Sequence, residues 1–272
     1  MEQEILVVSF GTTHPETREK TIGAVEEAVR AAFGSWSVRR AFTSSMVIRR
    51  IKENENMIVD SVPEALSRAL RAGIKRVVIQ PTHLMEGREY EKMVSLAKPF
   101  RSSFDSLKIG RPLLSSDEDQ LAMVRVLERE KEKFMDAYGI KEAAFIWMGH
   151  GGDERASRVY QDLQEKLFAE GYSGTLIGTA EGKPSFEDVM ERLKGGLNDS
   201  LNGSPAKKVI LAPLMVVAGE HAQRDMAGDQ ETSWTSILRR EGYEPLPIIK
   251  GLGEYAAVRE LYVQHTARTI AE

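Results

Sequence analysis

Lys75-Arg76-Val77-Val78-Ile79-Gln80-Pro81 and Lys207-Lys208-Val209-Ile210-Leu211-Ala212-Pro213 are two versions of one segment, and their reading decides the fold. Each is a basic pair followed by branched apolar residues and stopped by proline. A strand covered on both faces looks like this, because the apolar run is continuous instead of alternating. The likeness continues past the strands without a gap: at the same offset of 132 residues, Met85 falls on Val217, Gly87 on Gly219 and Glu89 on His221. Working outward, Val8-Ser9-Phe10-Gly11 falls on Met148-Gly149-His150-Gly151, and Ala41-Phe42-Thr43 on Thr179-Ala180-Glu181. The chain reads as a duplicated βαβαβ unit.

The remaining elements follow from the same alternation of short Val/Ile-rich runs with longer amphipathic stretches, which predicts parallel strands covered by helices. Strands are expected at Ile5–Phe10, Val38–Thr43, Arg76–Pro81, Leu107–Ile109, Ala143–Met148, Gly174–Thr179, Lys208–Leu214 and Pro245–Ile248. Helix starts are marked by three Ser/Thr-x-x-Glu capping boxes, Thr13-His14-Pro15-Glu16, Ser61-Val62-Pro63-Glu64 and Ser115-Ser116-Asp117-Glu118, so helices are expected near 14–33, 61–72 and 116–137. Tyr138-Gly139 ahead of a new strand divides the chain into α/β halves 1–139 and 140–272, with a C-terminal helix able to pack back on the first half. The fold class is α/β, two similar doubly wound parallel-sheet halves.

Composition removes several function classes. With 37 Lys and Arg against 41 Asp and Glu, the net charge of −4 offers no general attraction for nucleic acid or an anionic membrane, so an anionic ligand needs a local basic patch. The absence of cysteine rules out thiol nucleophiles, zinc ribbons and iron–sulfur ligation, leaving histidine and carboxylates for metal chemistry. No apolar run approaches the ~20 residues of a membrane span, and Met1-Glu-Gln-Glu-Ile5 lacks the basic and apolar regions of a secretory leader, so the expected location is the cytoplasm. There is no P-loop, G-x-G-x-x-G fingerprint or G-x-S-x-G elbow, and no nucleotide is expected.

In a doubly wound sheet, ligands bind beyond the carboxyl ends of the strands, where strand order reverses. His150 in Gly149-His150-Gly151-Gly152, Glu181 and His221 each follow a second-half strand; their first-half counterparts are Phe10, Thr43 and Glu89. A strand order 2-1-3 would bring the three together. Two imidazoles and a carboxylate suit a divalent transition ion with open coordination positions, and the glycines let a flat ligand approach the backbone. Each residue also has a plain structural reading: a histidine in a glycine loop, a solvated glutamate, a helix-start histidine. His83 sits at a first-half strand end and is either a cleft or a core residue; His14 reads as a first-turn helix residue and His265 as a surface or packing residue, neither with chemistry. Ser9 and Thr12 offer hydroxyl donors to an anion, and Arg49 and Arg50 lie on a helix that opens with Thr43-Ser44-Ser45; an ordinary solvated face is the alternative. Asp117–Lys133, with Glu128, Glu130 and Glu132, reads as a solvated acidic face.

At these motifs the sequence resembles the CbiK-type anaerobic sirohydrochlorin cobaltochelatases of the class II chelatase superfamily. The likeness covers almost the whole chain. It is carried by Val7-Val8-Ser9-Phe10-Gly11-Thr12, Arg40-Ala41-Phe42-Thr43-Ser44, Pro112-Leu113-Leu114-Ser115-Ser116, Met148-Gly149-His150-Gly151, Pro213-Leu214-Met215-Val216-Val217-Ala218-Gly219-Glu220-His221 and Gly251-Leu252-Gly253-Glu254. The resemblance implies a bilobal fold with a tetrapyrrole cleft between the halves, and metal ligation by a His, Glu, His trio that matches His150, Glu181 and His221.

What it further implies is insertion of Co²⁺ into sirohydrochlorin for anaerobic cobalamin synthesis without ATP, the ion being a substrate. Two pyrrole N–H protons must leave, and neutral imidazole, with an ordinary pKa of ~6.5, is a suitable acceptor; His150 is the expected base and Glu181 the group that keeps the ion bound. Ser9, Thr12, Arg49, Arg88, Glu89 and His83 are the candidates for substrate contact. Fe²⁺ or Ni²⁺ insertion remains the alternative, since imidazole and carboxylate accept all three ions, as does a carrier without turnover. Homo-oligomerisation and haem binding are left open by the sequence.

Overall fold

The computed structural model describes residues 2–195 and 207–272. All eight expected strands form, with ends moved by at most three residues: β1 Gln3–Ser9, β2 Ser37–Phe42, β3 Arg76–Pro81, β4 Ser106–Ile109, β5 Ala144–Gly151, β6 Thr175–Glu181, β7 Lys208–Leu214 and β8 Glu244–Pro247. They build two four-stranded parallel sheets of one design, β2-β1-β3-β4 and β6-β5-β7-β8. The 2-1-3 order needed to gather the second-half strand ends is therefore present.

Each sheet belongs to its own compact unit. The first comprises Met1–Ser115 and Gly253–Glu272, the second Ser116–Leu252. Residues 139 and 140 thus lie inside the second unit, because the helix Asp117–Ala137 is fixed there: Lys131 Nζ donates to Thr175 Oγ1 at 2.7 Å and pairs with Glu128 at 3.0 Å. This corrects the reading of a wholly solvated acidic face, since Glu128 is buried and only its neighbours reach solvent. The helix Ala256–Ala271 is held in the first unit by Tyr262, whose hydroxyl donates to Thr82 O at 2.8 Å, and by Thr266, whose hydroxyl donates to Gln80 Oε1 at 2.9 Å.

The central strands explain their own sequences. Ile5, Leu6, Val7 and Val8 in β1 and Ala144 through Met148 in β5 are buried throughout, as continuous apolar runs covered on both faces require. In the second unit, alternate residues of β5 and β7 (Ala144, Ile146, Met148, Val209, Leu211) enter one core with Val189, Trp234 and Leu238. The duplication is visible in register: Val8 pairs with Pro81 as Met148 pairs with Pro213. On the other side it departs by one residue from the sequence alignment. Ser9 pairs with Phe42, whereas Gly149 pairs with Thr179, so the first-sheet position level with Glu181 is Ser44, not Thr43.

Helix starts obey local chemistry with two departures. The box at Ser61 forms, Glu64 Oε2 accepting from both the backbone N–H (2.8 Å) and the hydroxyl of Ser61. At the third start the cap is Ser116 instead of Ser115, its Oγ accepting from Asp119 N at 3.1 Å. At the first start no box forms. Pro15 opens the helix and holds His14 in an extended conformation as the cap, in keeping with the steric restriction on a residue before proline. The stretch expected at 14–33 runs as Pro15–Arg18, a π-helical segment Glu19–Gly23 and Ala24–Ala32.

Candidate functional site

Two imidazoles meet at the carboxyl edge of the second sheet. His150 is carried by the last residues of β5, and His221 opens a π-helical turn, His221–Met226, beyond β7. Their ring centroids are 4.6 Å apart with planes at 82°, edge to face. The turn under His221 is anchored because Ala222 and Met226 are both fully buried. His221 Nδ1 lies 2.5 Å from Asp225 Oδ2.

The backbone around His150 is fitted tightly. A Cβ on Gly149 would stand 2.4 Å from the Tyr160 ring, and Gly151, at φ +90°, runs so close to β6 that a Cβ there would lie 1.5 Å from Glu181 O. Glycine is required at both positions. Tyr160, from the helix Glu154–Ala169, is buried, and its hydroxyl accepts from the backbone N–H groups of His150 and Gly151; burial pushes its pKa up to about 12, so it stays a neutral phenol. The level of the His150 segment is thereby set from beneath.

Glu181 is the last residue of β6, paired with Gly151, and its carbonyl accepts from Gly152 N at 3.0 Å. Its side chain is exposed. Among the described residues no three His, Asp or Glu side chains stand in a geometry that already encloses an ion. The structure thus preassembles the two imidazoles and holds the backbone of Glu181 beside one of them.

The remaining expected residues lie in the first unit. The Ser9 hydroxyl is buried and accepts from Thr82 Oγ1 at 2.8 Å; the Thr12 hydroxyl accepts from His14 N at 3.3 Å. Both are engaged within the protein. Arg49 faces solvent near Glu53 (3.7 Å), and Arg88 is exposed at the start of the helix Arg88–Ala97. Glu89 accepts from Thr43 Oγ1 at 2.7 Å. His83 packs edge-on against Tyr90 with both ring nitrogens buried and without a hydrogen-bond partner. Burial pushes its pKa down to about 4, against the opposing pull of the Glu89 carboxylate, so the ring is neutral. Phe10, the counterpart of His150, is about half exposed at 46% and closes β1 with an aromatic face instead of an imidazole.

The family model described as cobalt chelatase (CbiK) matches residues 3–271. The chain belongs to the cobalt chelatase (CbiK) family. Among relatives of this cobalt chelatase chain, the sirohydrochlorin cobaltochelatase of Salmonella typhimurium is 33% identical over 265 residues, covering 97% of this chain and 95% of that one. The sirohydrochlorin cobaltochelatase CbiKC of Nitratidesulfovibrio vulgaris is 29% identical over 269 residues, covering 98% and 90%. Among solved structures, SirB from Bacillus subtilis with Fe3+ superposes with a TM-score of 0.67 at 14% identity, covering 100% of this chain and 96% of that one, which is a likeness of fold. Among the described residues of this CbiK-family chain, no helix is long and apolar enough to cross a membrane.

Two residues that shape the site escape a sequence reading of the CbiK-family chain. Tyr160 lies ten positions after His150 on a helix, where an aromatic is indistinguishable from ordinary core. Asp225 does leave a trace, a carboxylate four positions after His221, which is the spacing that brings side chains together on one helical face.

Proposed function

We propose that this chain is a sirohydrochlorin cobaltochelatase, inserting Co²⁺ into the macrocycle without a nucleotide, in the cytoplasmic setting expected from the sequence. The observation that carries the reading is the pair of imidazoles, 4.6 Å apart at the carboxyl edge of the second sheet, in a chain of the cobalt chelatase family. The names of its relatives support the substrate.

In this reading His150, Glu181 and His221 hold the incoming ion, which is a substrate and must leave with the product. A site with open positions suits that need, since a closed four-ligand cage would retain the metal. Insertion exchanges the ion's waters for four pyrrole nitrogens and releases two protons, so charge balances as Co²⁺ in and 2 H⁺ out. Once it releases the ion, His150 accepts a proton at the ring nitrogen that held it, the other nitrogen already carrying N–H in the neutral ring, and the exposed Glu181 carboxylate offsets the charge of the ion during transfer. Arg49 and Arg88 are assigned to substrate carboxylates. Ser9, Thr12, Glu89 and His83 belong to the same reading as substrate contacts, Ser9 held through the Thr82 hydroxyl and Thr12 through the His14 backbone N–H.

The test is anaerobic incubation of the protein with sirohydrochlorin and, separately, Co²⁺, Ni²⁺ and Fe²⁺, following the visible spectrum against enzyme-free and His150→Ala controls. Catalysed insertion, fastest with Co²⁺ and lost in the variant while macrocycle binding persists, is the expected result. A spectral shift on binding with no accelerated insertion of any ion would make the protein a carrier and end the proposal.

A further inference from the structure

The two imidazoles are held differently. His221 Nδ1 meets the Asp225 carboxylate at 2.5 Å, whereas the ring of His150 makes no hydrogen bond to another described residue. An ionised carboxylate can only accept, so the His221 nitrogen facing it carries the proton and the lone pair sits on Nε2. A carboxylate behind a metal-binding imidazole fixes its tautomer and orientation and makes it a stronger donor. Nothing else competes for this carboxylate on its own turn: the neighbouring Arg224 faces Glu220 at 3.7 Å. From the sheet, the group facing His221 is the His150 ring. The turn itself cannot drift, because Ala222 and Met226 root it in the core.

We propose that Asp225 is a positioning residue that locks His221 as the Nδ1–H tautomer with Nε2 presented to the ion, and so divides the work between the two histidines. His221 is the fixed donor. His150, tethered only through its backbone to Tyr160, is the one whose ring turns between ion and proton. This inference rests on the reading of the trio as the metal site.

Two measurements on the intact chain decide it. Long-range ¹H–¹⁵N correlation spectra of the imidazoles, recorded where the rings are neutral, read the tautomer directly. Wild type should show His221 protonated at Nδ1, Asp225→Asn should keep that form because its amide oxygen still accepts, and Asp225→Ala should move toward the Nε2–H form. Co²⁺ titration followed by ligand-field absorbance should show binding weakened roughly 10- to 100-fold in Asp225→Ala, less in Asp225→Asn, and lost in His221→Ala. An unchanged His221 tautomer in Asp225→Ala overturns the proposal. So does wild-type Co²⁺ affinity and spectrum in Asp225→Ala when His221→Ala has lost the ion. Undiminished Co²⁺ binding in both His150→Ala and His221→Ala overturns the metal-site reading instead, and the ring-nitrogen spectra still decide what Asp225 does to His221.

Discussion

A Cβ added to Gly151 would lie 1.5 Å from the carbonyl oxygen of Glu181. The contact is backbone to backbone, so no side-chain rotation relieves it, and the φ of +90° is strained for any other residue. Gly151→Ala must therefore push β5 and β6 apart at the level of Glu181. We expect a stability loss of at least ~2 kcal/mol, from strain at this φ together with the clash, and insertion activity reduced at least tenfold in whatever protein folds. Urea unfolding and the spectral insertion assay read the two effects; wild-type values in both would show that the strand ends are not coupled.

Tyr160→Phe probes the support under His150. Removing the hydroxyl leaves the backbone N–H groups of His150 and Gly151 without this acceptor, which costs about 1 kcal/mol at these partly solvated positions. With a less fixed His150 segment, kcat should fall more than KM rises. A thermal scan combined with steady-state kinetics distinguishes this from a global effect, which would alter stability and leave the kinetics of the folded fraction unchanged.

His83 makes a prediction about acid. Its folded pKa of about 4 lies below the ordinary value of 6.5, so the unfolded chain takes up the proton first and falling pH favours unfolding. This cost is absent above pH 6.5, grows between 6.5 and about 4, and levels off below, reaching on the order of 3 kcal/mol. His83→Leu, which buries no polar nitrogen, should narrow the gap between urea midpoints measured at pH 7 and pH 4.5. An equal gap in variant and wild type would place the acid sensitivity elsewhere.

Tyr262→Phe tests the anchoring of the helix Ala256–Ala271. The lost hydroxyl is a donor to Thr82 O in a fully buried setting, and the orphaned carbonyl costs ~1–3 kcal/mol. The residue is remote from the imidazole pair along the chain, and the expected signature is a lower Tm with insertion kinetics unaltered in the folded protein.

Strands were the most legible elements because burial on both faces writes itself as an unbroken apolar run, and Lys208–Leu214 could be read to the residue. Glycines around His150 were equally plain, yet their reason, the ring of Tyr160 and the backbone of Glu181, belongs to partners distant in sequence. What the sequence hid was fine register. A slip of one residue moves a side chain to the opposite face, and the pairing of Gly149 with Thr179 instead of Ala180 leaves no mark in composition. Thr13 fails as a cap for a local reason, the proline that fixes His14, whereas the burial of Glu128 is hidden because Thr175, which anchors its partner Lys131, lies in another element.

The first unit is discontinuous in sequence, closed by the helix Ala256–Ala271, while the second is one unbroken stretch. A ribosome therefore finishes the imidazole-bearing unit before it has made the segment that completes the earlier one. The sheet made first is the one that waits longest for its cover, leaving β3 and β4 dependent on a late-arriving helix during every round of synthesis.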